Sequence, residues 1–477
     1  MLLIKNGFII CASNRILEKA DVVVDDKGKI AEITNQNHID ENFFTHVLDA
    51  GGKVVMPGLI NAHTHSYANF VKALAENLPL EEMMFHIMIQ GVYQKPEDVY
   101  NNTLLGAVEM LKGGITCCLD QLAQNQEGLN AAMEAYKDIG MRATMAPMIT
   151  DKKYYDTLPI APDLAPKWAQ NSRTVSTKEL IDMSTEFLKE WNGVEDRLFV
   201  GFGPSGPQRC SDDLLKGCMK ETIEYDTIFH THVLETQTQR NTAHYLYGKP
   251  MMKHLDEIGC LNEHTSMAHT VWTTKEEASL ANERGAKAVH CPACNLFLGS
   301  GIAPLNVFRE VGWTVGLGTD GANGGGNQNL LETMKIAALL HKVSLTDHHG
   351  WVSAAEVFDM ATKNNAAILR QENQIGTLAK GKDADIVILD PSRSCSMQPI
   401  QDIIAQIVYG EGGAAVDIVM VKGQIVVEDG KCKLVDEKQV FEKAAILSKT
   451  LVEKINKHMP ETNEKIRYLE QVLPRLG

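Results

Sequence analysis

No stretch of this 477-residue chain reaches 18 consecutive apolar residues, so the sequence offers no membrane-spanning helix. A secretory leader is not expected either. The chain opens Met1-Leu2-Leu3-Ile4-Lys5-Asn6-Gly7, with no basic region, apolar stretch and small-residue cleavage site in succession. Positive charge is in deficit: 46 Lys and Arg stand against 61 Asp and Glu, a formal net charge of −15. That balance argues against a nucleic-acid surface, which needs a basic patch. The acidity reads as a solubility feature, since no block of five or more like charges occurs. Ten cysteines without a leader predict reduced thiols in a cytoplasm rather than a disulfide framework. Cys291-Pro292-Ala293-Cys294 has redox-motif spacing, but a second such pair and a thioredoxin-like context are both absent. No internal repeat or low-complexity tract breaks the chain.

What is present describes a globular enzyme-like chain. Apolar residues make up 44% and charged residues 22%, enough to bury a sizeable core. The first ~55 residues read as all-β, a run bounded by turn residues. Phe8–Ile10, Val22–Val24 and Lys29–Ile33 are short strands, and Asp25-Asp26-Lys27-Gly28 is a hairpin turn. The same texture returns at Asp385–Leu389, Asp417–Val421 and Gln424–Val427. These two ends predict one small β-sandwich composed of residues 1–56 and 371–436.

Between them, apolar runs alternate with helical stretches, the pattern of a parallel α/β sheet or barrel. The strands are Val54–Ala62, Ile115–Leu119, Arg142–Ala146, Leu198–Phe202, Ile228–His232, Ser266–His269, Ala288–His290 and Thr314–Gly318. Eight is the count of a (β/α)8 barrel, whose sites lie at the C-terminal strand ends. The expected fold is therefore an α/β TIM barrel over 57–370 with the small sandwich beside it. A helical extension over 437–477 completes the chain, with Glu437–Met459 carrying apolar residues at helical spacing.

The chemistry sits at those strand ends. His63-Thr64-His65 places two imidazoles on one face, because alternate strand residues share a face. Alone the motif is weak: 16 His in this chain place such a pair by chance in roughly one chain of every two. Further strand ends supply His232 with Glu235, His269, and Asp320 in Gly318-Thr319-Asp320-Gly321. Three His and one carboxylate with an open position suit Zn²⁺, and Fe²⁺ accepts similar ligands. A bound divalent cation lowers the pKa of water toward neutrality. A carboxylate must then take the water's proton and a second acid must protonate the substrate, a role within reach of Glu235. His269 is placed to orient the attacking water. Each residue has a plainer reading: a lone strand His such as His269 or His290 is more often a hydrogen-bonded core residue, His230 reads as core filling, and Asp320 before glycine suits a turn. Convergence of five such residues in barrel order weighs against the plain reading.

These motifs resemble the amidohydrolase superfamily, in particular the branch holding methylthioadenosine/S-adenosylhomocysteine deaminases and atrazine chlorohydrolase. The resemblance rests on Pro57-Gly58-Leu59-Ile60-Asn61-Ala62-His63-Thr64-His65, His232-Val233-Leu234-Glu235-Thr236, Ala268-His269, His290-Cys291-Pro292 and Gly299-Ser300-Gly301-Ile302-Ala303-Pro304. Gly318-Thr319-Asp320-Gly321, Glu190-Trp191-Asn192-Gly193 and the closing Gly376–Asp385 also fit. It implies one metal held by His63, His65, His232 and Asp320, with Glu235, His269 and Asp320 catalytic. Two-metal relatives use a modified Lys at the fourth strand, and Phe202–Pro207 holds none.

The departures concern substrate. Ser205-Gly206-Pro207-Gln208 replaces a His-Ala-Pro-Tyr pattern, Gly324-Gly325-Gly326 replaces Ser-Asn-Asn, and Cys294 stands where Ser is common. Leu80–Phe85 also leaves the usual Leu-x-x-Trp-Leu. Gln208, Arg209, Asn295 and the Tyr154-Tyr155 loop are candidate substrate contacts, with solvated loop residues as their plainer reading. The resulting expectation is a cytoplasmic metal-dependent aminohydrolase, a homodimer or larger, acting on a purine, pterin, pyrimidine or triazine. A triazine dehalogenase is the alternative, and a non-catalytic barrel relative is disfavoured because no metal ligand is missing.

Overall fold

The computed structural model describes residues 1–34, 39–74, 76–164, 166, 174–343 and 346–473. Near the N-terminus β1 (Leu2–Ala12), β2 (Arg15–Val24), β3 (Ile30–Thr34), β4 (His46–Asp49) and β5 (Val54–Pro57) follow one another. Two sets of parallel strands come next. The first is β6 (Leu59–Thr64), β7 (Ile115–Leu122), β8 (Arg142–Ile149), β9 (Leu198–Val200) and β10 (Gly203–Pro204). The second is β11 (Phe229–Val233), β12 (Thr265–His269), β13 (Lys287–His290) and β14 (Val315–Leu317). Four further strands close the series: β15 (Ile386–Leu389), β16 (Val416–Val421), β17 (Gln424–Glu428) and β18 (Lys431–Cys432).

Both chain ends enter one nine-stranded sheet, ordered β18-β17-β16-β15-β5-β1-β2-β3 with β4 on β1. The junction is the antiparallel β15–β5 pair, in which Ile386 faces Pro57 and Leu389 faces Val54. Period-2 alternation divides its faces. Ile386, Ile388 and Met420 join Ile4, Val22 and Val55 in one apolar cluster. Val387, Leu389 and Val419 turn the other way, into the main core.

The parallel strands form two sheets, β10-β8-β7-β6 with β9 on β8, and β11-β12-β13-β14. A bridge from Phe202 to Phe229 joins one pair of edges. At the other, the Asp320 N–H donates to the His63 carbonyl at 3.0 Å. Gly318 permits that approach, because a Cβ there would lie 2.8 Å from His63 Cβ and 2.9 Å from its carbonyl oxygen.

One expected element differs. The single strand over Val54–Ala62 divides at Gly58, so β5 serves the end sheet and β6 begins the parallel set. The Gly58 N–H bonds the Asp385 carbonyl at 2.9 Å, and a Cβ at Gly58 would meet Thr116 Oγ1 at 2.1 Å. The C-terminal helix runs Glu437–Val472, through Pro460, within the helical extension expected over 437–477. Pro460 cannot donate to the preceding turn, but Ile466 and Leu469 beyond it pack on Phe85, Tyr155, Leu158 and Ile160. Among the described residues no helix is long and apolar enough to cross a membrane.

Candidate active site

Strand ends bring the polar residues together. β6 carries His63 and runs out into His65, β11 carries His230 and His232, β12 ends at His269, and Asp320 lies just past β14. Several turning points adopt left-handed backbone in non-glycine residues: φ is 53° at Leu234, 74° at His269 and 63° at Asp320. Such conformations cost on the order of 1–3 kcal/mol each and collect at functional sites. The Asp320 turn is held by its own carbonyl, which accepts from Gln328 Nε2 at 3.0 Å and Thr64 Oγ1 at 3.3 Å.

Each imidazole is oriented through Nδ1. His65 Nδ1 donates to the Gln121 carbonyl at 2.6 Å and His232 Nδ1 to the Ser205 carbonyl at 2.5 Å. A carbonyl only accepts, so both rings keep their proton on Nδ1 and a lone pair on Nε2. Those two Nε2 atoms face each other at 3.2 Å, with Asp320 Oδ1 3.4 Å from His65 Nε2 and 3.6 Å from His63 Nε2. His63 Nδ1 meets His230 Nε2 at 2.8 Å, and His230 Nδ1 meets Ser266 Oγ at 2.9 Å. With His63 also protonated on Nδ1, its buried Nε2 has no hydrogen-bond partner. Converging lone pairs beside a carboxylate repel one another unless a cation lies among them. The donor set therefore fits a divalent metal, with Nδ1 partners of the kind that orient metal-binding histidines. Ligand atoms of His63, His232 and His269 lie within 4.8 Å of one another, as do those of His63, Cys291 and Asp320.

The surroundings set the charge states. Burial, then the neighbouring His65, pushes His63 and His232 well below the ordinary imidazole range and keeps them neutral. Burial would raise Asp320, but His65 and His269 beside it outweigh that and hold its carboxyl below the usual range. Glu235 is the reverse case. Burial pushes its carboxyl up to about 7 despite the opposing His269. His269 stands between the two acids, its Nε2 3.5 Å from Glu235 Oε2 and 3.6 Å from Asp320 Oδ2. Its Nδ1 is tethered to Asn295 Oδ1 at 3.0 Å.

The structure thus gathers His63, His65, His232, Asp320, His269 and Glu235 in one place. Of the candidate substrate contacts, Arg209 lines the cavity. Gln208 is buried nearby with an unpartnered Oε1, and Asn295 faces His269. The Tyr154 hydroxyl donates to the Glu81 carbonyl at 2.7 Å. His230 is buried as expected of a core residue, yet it also orients His63. His290 turns to His341, with their Nε2 atoms 3.3 Å apart. Cys291 and Cys294 are free buried thiols, and Cys294 lines the cavity. Leu80–Phe85, already among the substrate-related departures, opens the helix Leu80–Tyr93, whose unpredicted role is to lay Leu80, Met83, Met84 and Ile87 over the site. Their i, i+3, i+4, i+7 spacing is a helical-face signal, but it marks any apolar face equally.

Residues 54–426 match the family described as the amidohydrolase family. The chain belongs to that family. This amidohydrolase is 32% identical over 459 residues to a 5'-deoxyadenosine deaminase of Methanosarcina acetivorans, covering 95% of this chain and 99% of that one. It is 34% identical over 429 residues to a 5-methylthioadenosine/S-adenosylhomocysteine deaminase of Thermococcus kodakarensis, covering 89% and 93%. Its fold matches a zinc-bound adenosine deaminase of Xanthomonas campestris with a TM-score of 0.84 at 25% identity, covering 94% and 98%. It also matches a mutant atrazine chlorohydrolase of Arthrobacter aurescens TC1 complexed with zinc and atraton, with a TM-score of 0.85, 23% identity and coverage of 94% and 100%. That last likeness is one of fold.

Proposed function

We propose that this amidohydrolase is a metal-dependent aminohydrolase that cleaves an exocyclic C–N bond of a nitrogen heterocycle. The carrying observation is the convergence of His63 Nε2 and His65 Nε2 on Asp320 Oδ1, with His232 Nε2 against His65 Nε2, beside a buried Glu235 whose carboxyl is pushed up to about 7 by burial. Nearly full-length relatives named as deaminases support the same chemistry.

In this reading His63, His65, His232 and Asp320 hold one divalent cation, zinc or alternatively iron(II). When bound, it supplies a water acidic enough to attack at neutral pH. The residues do the rest. Asp320 accepts the water's proton. His269, fixed by Asn295, holds that water between the two acids. Glu235 is half protonated near neutrality and donates its proton to the ring nitrogen beside the reacting carbon. That carbon gains the water's oxygen, the proton held by Asp320 passes to the amine, which departs as ammonia, and the new hydroxyl's proton returns to Glu235.

The circuit from β6 to β14, with β9 and β10 read as one interrupted strand and the edges joined at Phe202–Phe229 and at Asp320–His63, is read as a closed (β/α)8 barrel over 57–370. Residues 1–56 with 371–436 form the accompanying β-sandwich, and 437–477 an extension. Ten free cysteines among the described residues suit a reducing cytoplasm. A homodimer or larger assembly belongs to the same reading.

A second reading, hydrolytic dehalogenation, is favoured by the fold likeness to atrazine chlorohydrolase. Ammonia and chloride release from a panel of purines, pterins, pyrimidines and triazines separates the two. The first reading predicts ammonia from at least one amino heterocycle and its loss in Glu235→Gln. Chloride release alone overturns it.

A further inference from the structure

Arg209 is the only Lys or Arg among the described residues that line the catalytic cavity. It ends the short turn Pro207–Arg209 that follows β10 and is half-buried. A guanidinium carries five N–H donors. Here one contact is formed, from Nη1 to Ser205 Oγ at 3.3 Å, and among the described residues no carboxylate lies within ion-pair distance. Arg142 is paired with Asp383 and Asp385, Arg197 with Glu195 and Arg309 with Glu356, while Arg240, outside the cavity lining, bonds the Trp272 carbonyl. Arg209 is held in the cavity with its donors spare.

The rest of the lining shows what those donors are for. Leu80, Met83, Met84 and Ile87 form an apolar wall. Glu235 and Asp320 are committed to moving protons. Tyr67 and Asn323 are neutral polar groups of the same lining, so the charged donor available to a substrate edge away from the reacting carbon is Arg209. A ring oxygen with negative character, or a carboxylate, satisfies a guanidinium in a fork geometry. The hydroxyls of a neutral sugar gain little from one.

Resting on the aminohydrolase reading, we propose that Arg209 selects substrates whose heterocycle bears an acceptor oxygen, either a ring oxo group or a carboxylate, over oxygen-free rings and neutral nucleosides. The test uses zinc-loaded full-length protein and matched pairs. Guanine against 2-aminopurine reports a ring oxo group, and 4-aminopyrimidine-5-carboxylate against 4-aminopyrimidine reports a carboxylate. Adenosine is the nucleoside arm. Ammonia release gives kcat and KM, while calorimetric binding of hypoxanthine against purine, and of pyrimidine-5-carboxylate against pyrimidine, needs no turnover.

The expected result is a preference of roughly 10–100-fold in kcat/KM for the oxygen-bearing member of at least one pair, the scale of a charge-assisted hydrogen bond. R209M should collapse that ratio mainly through KM, and R209K should keep part of it, which a misfolded variant would not do. Equal handling of both members and of adenosine by the wild type, or an unchanged ratio in R209M, overturns the proposal. Arg209-dependent binding without ammonia from any compound supports the Arg209 assignment while refuting the aminohydrolase reading.

Discussion

Two buried clusters of charge and polarity lie at opposite ends of the parallel strands, and they are finished differently. At the start of β8, Arg142 is fully buried, yet its Nε bonds Asp385 at 3.0 Å and its Nη2 bonds Asp383 at 2.8 Å. Lys29 Nζ adds 2.7 Å to Asp383, and the Lys422 N–H donates to Asp385 at 2.9 Å. This cluster is paired within the chain and welds the end sheet to the parallel strands. At the C-terminal ends, Nδ1 atoms are equally well partnered, but the buried Nε2 atoms of His63 and His269 have no hydrogen-bond partner. One cluster is closed. The other is closed on its outer side and open on its inner side, the arrangement expected where a ligand completes the set.

His65→Ala is the most severe way to break this contrast. It removes a lone pair from the open cluster, so stoichiometric metal and measurable ammonia release should both be lost while the chain stays folded, read by elemental analysis and circular dichroism. Glu235→Gln should retain metal and lose about 10²–10⁴-fold in kcat, the range for a general acid–base group. Metal loss in that variant would place Glu235 among the ligands instead. In the closed cluster, Arg142→Met leaves buried Asp385 with no cationic partner and Asp383 with Lys29 alone, and should cost about 3–5 kcal/mol in urea unfolding. The folded fraction should keep its metal content and kcat. The mildest change is Ser266→Ala, which frees His230 Nδ1 and loosens the partner of His63. Metal affinity should fall about 10-fold or more in chelator competition, with little change in unfolding midpoint.

The open cluster was readable in the sequence because strand alternation and strand ends are local signals. His63-Thr64-His65 needs only a period of two, and Gly318-Thr319-Asp320 needs only a strand followed by a turn. Its support was not readable in the same way. His230 and His63 lie 167 residues apart, so core filling and ligand orientation look identical until the strands meet. Gly58 divides a continuous apolar run because the chain changes sheets there, a tertiary event that periodicity does not encode. At Pro460 tertiary packing acts in the opposite direction. Packing of Ile466 and Leu469 carries the helix past a residue whose local preference is to end it. The closing Gly376–Asp385 motif was recognisable, but its work, placing Asp383 and Asp385 on Arg142, emerges only from the fold.

The most direct measurement is a zinc titration of chelator-stripped protein, followed by calorimetry and by ammonia release on the heterocycle panel. One zinc ion should bind per chain, with deamination of an amino heterocycle returning in proportion to occupancy and both signals absent in His232→Ala. No stoichiometric binding, or zinc binding undiminished in His232→Ala, would contradict the assignment of the open cluster as the catalytic metal site.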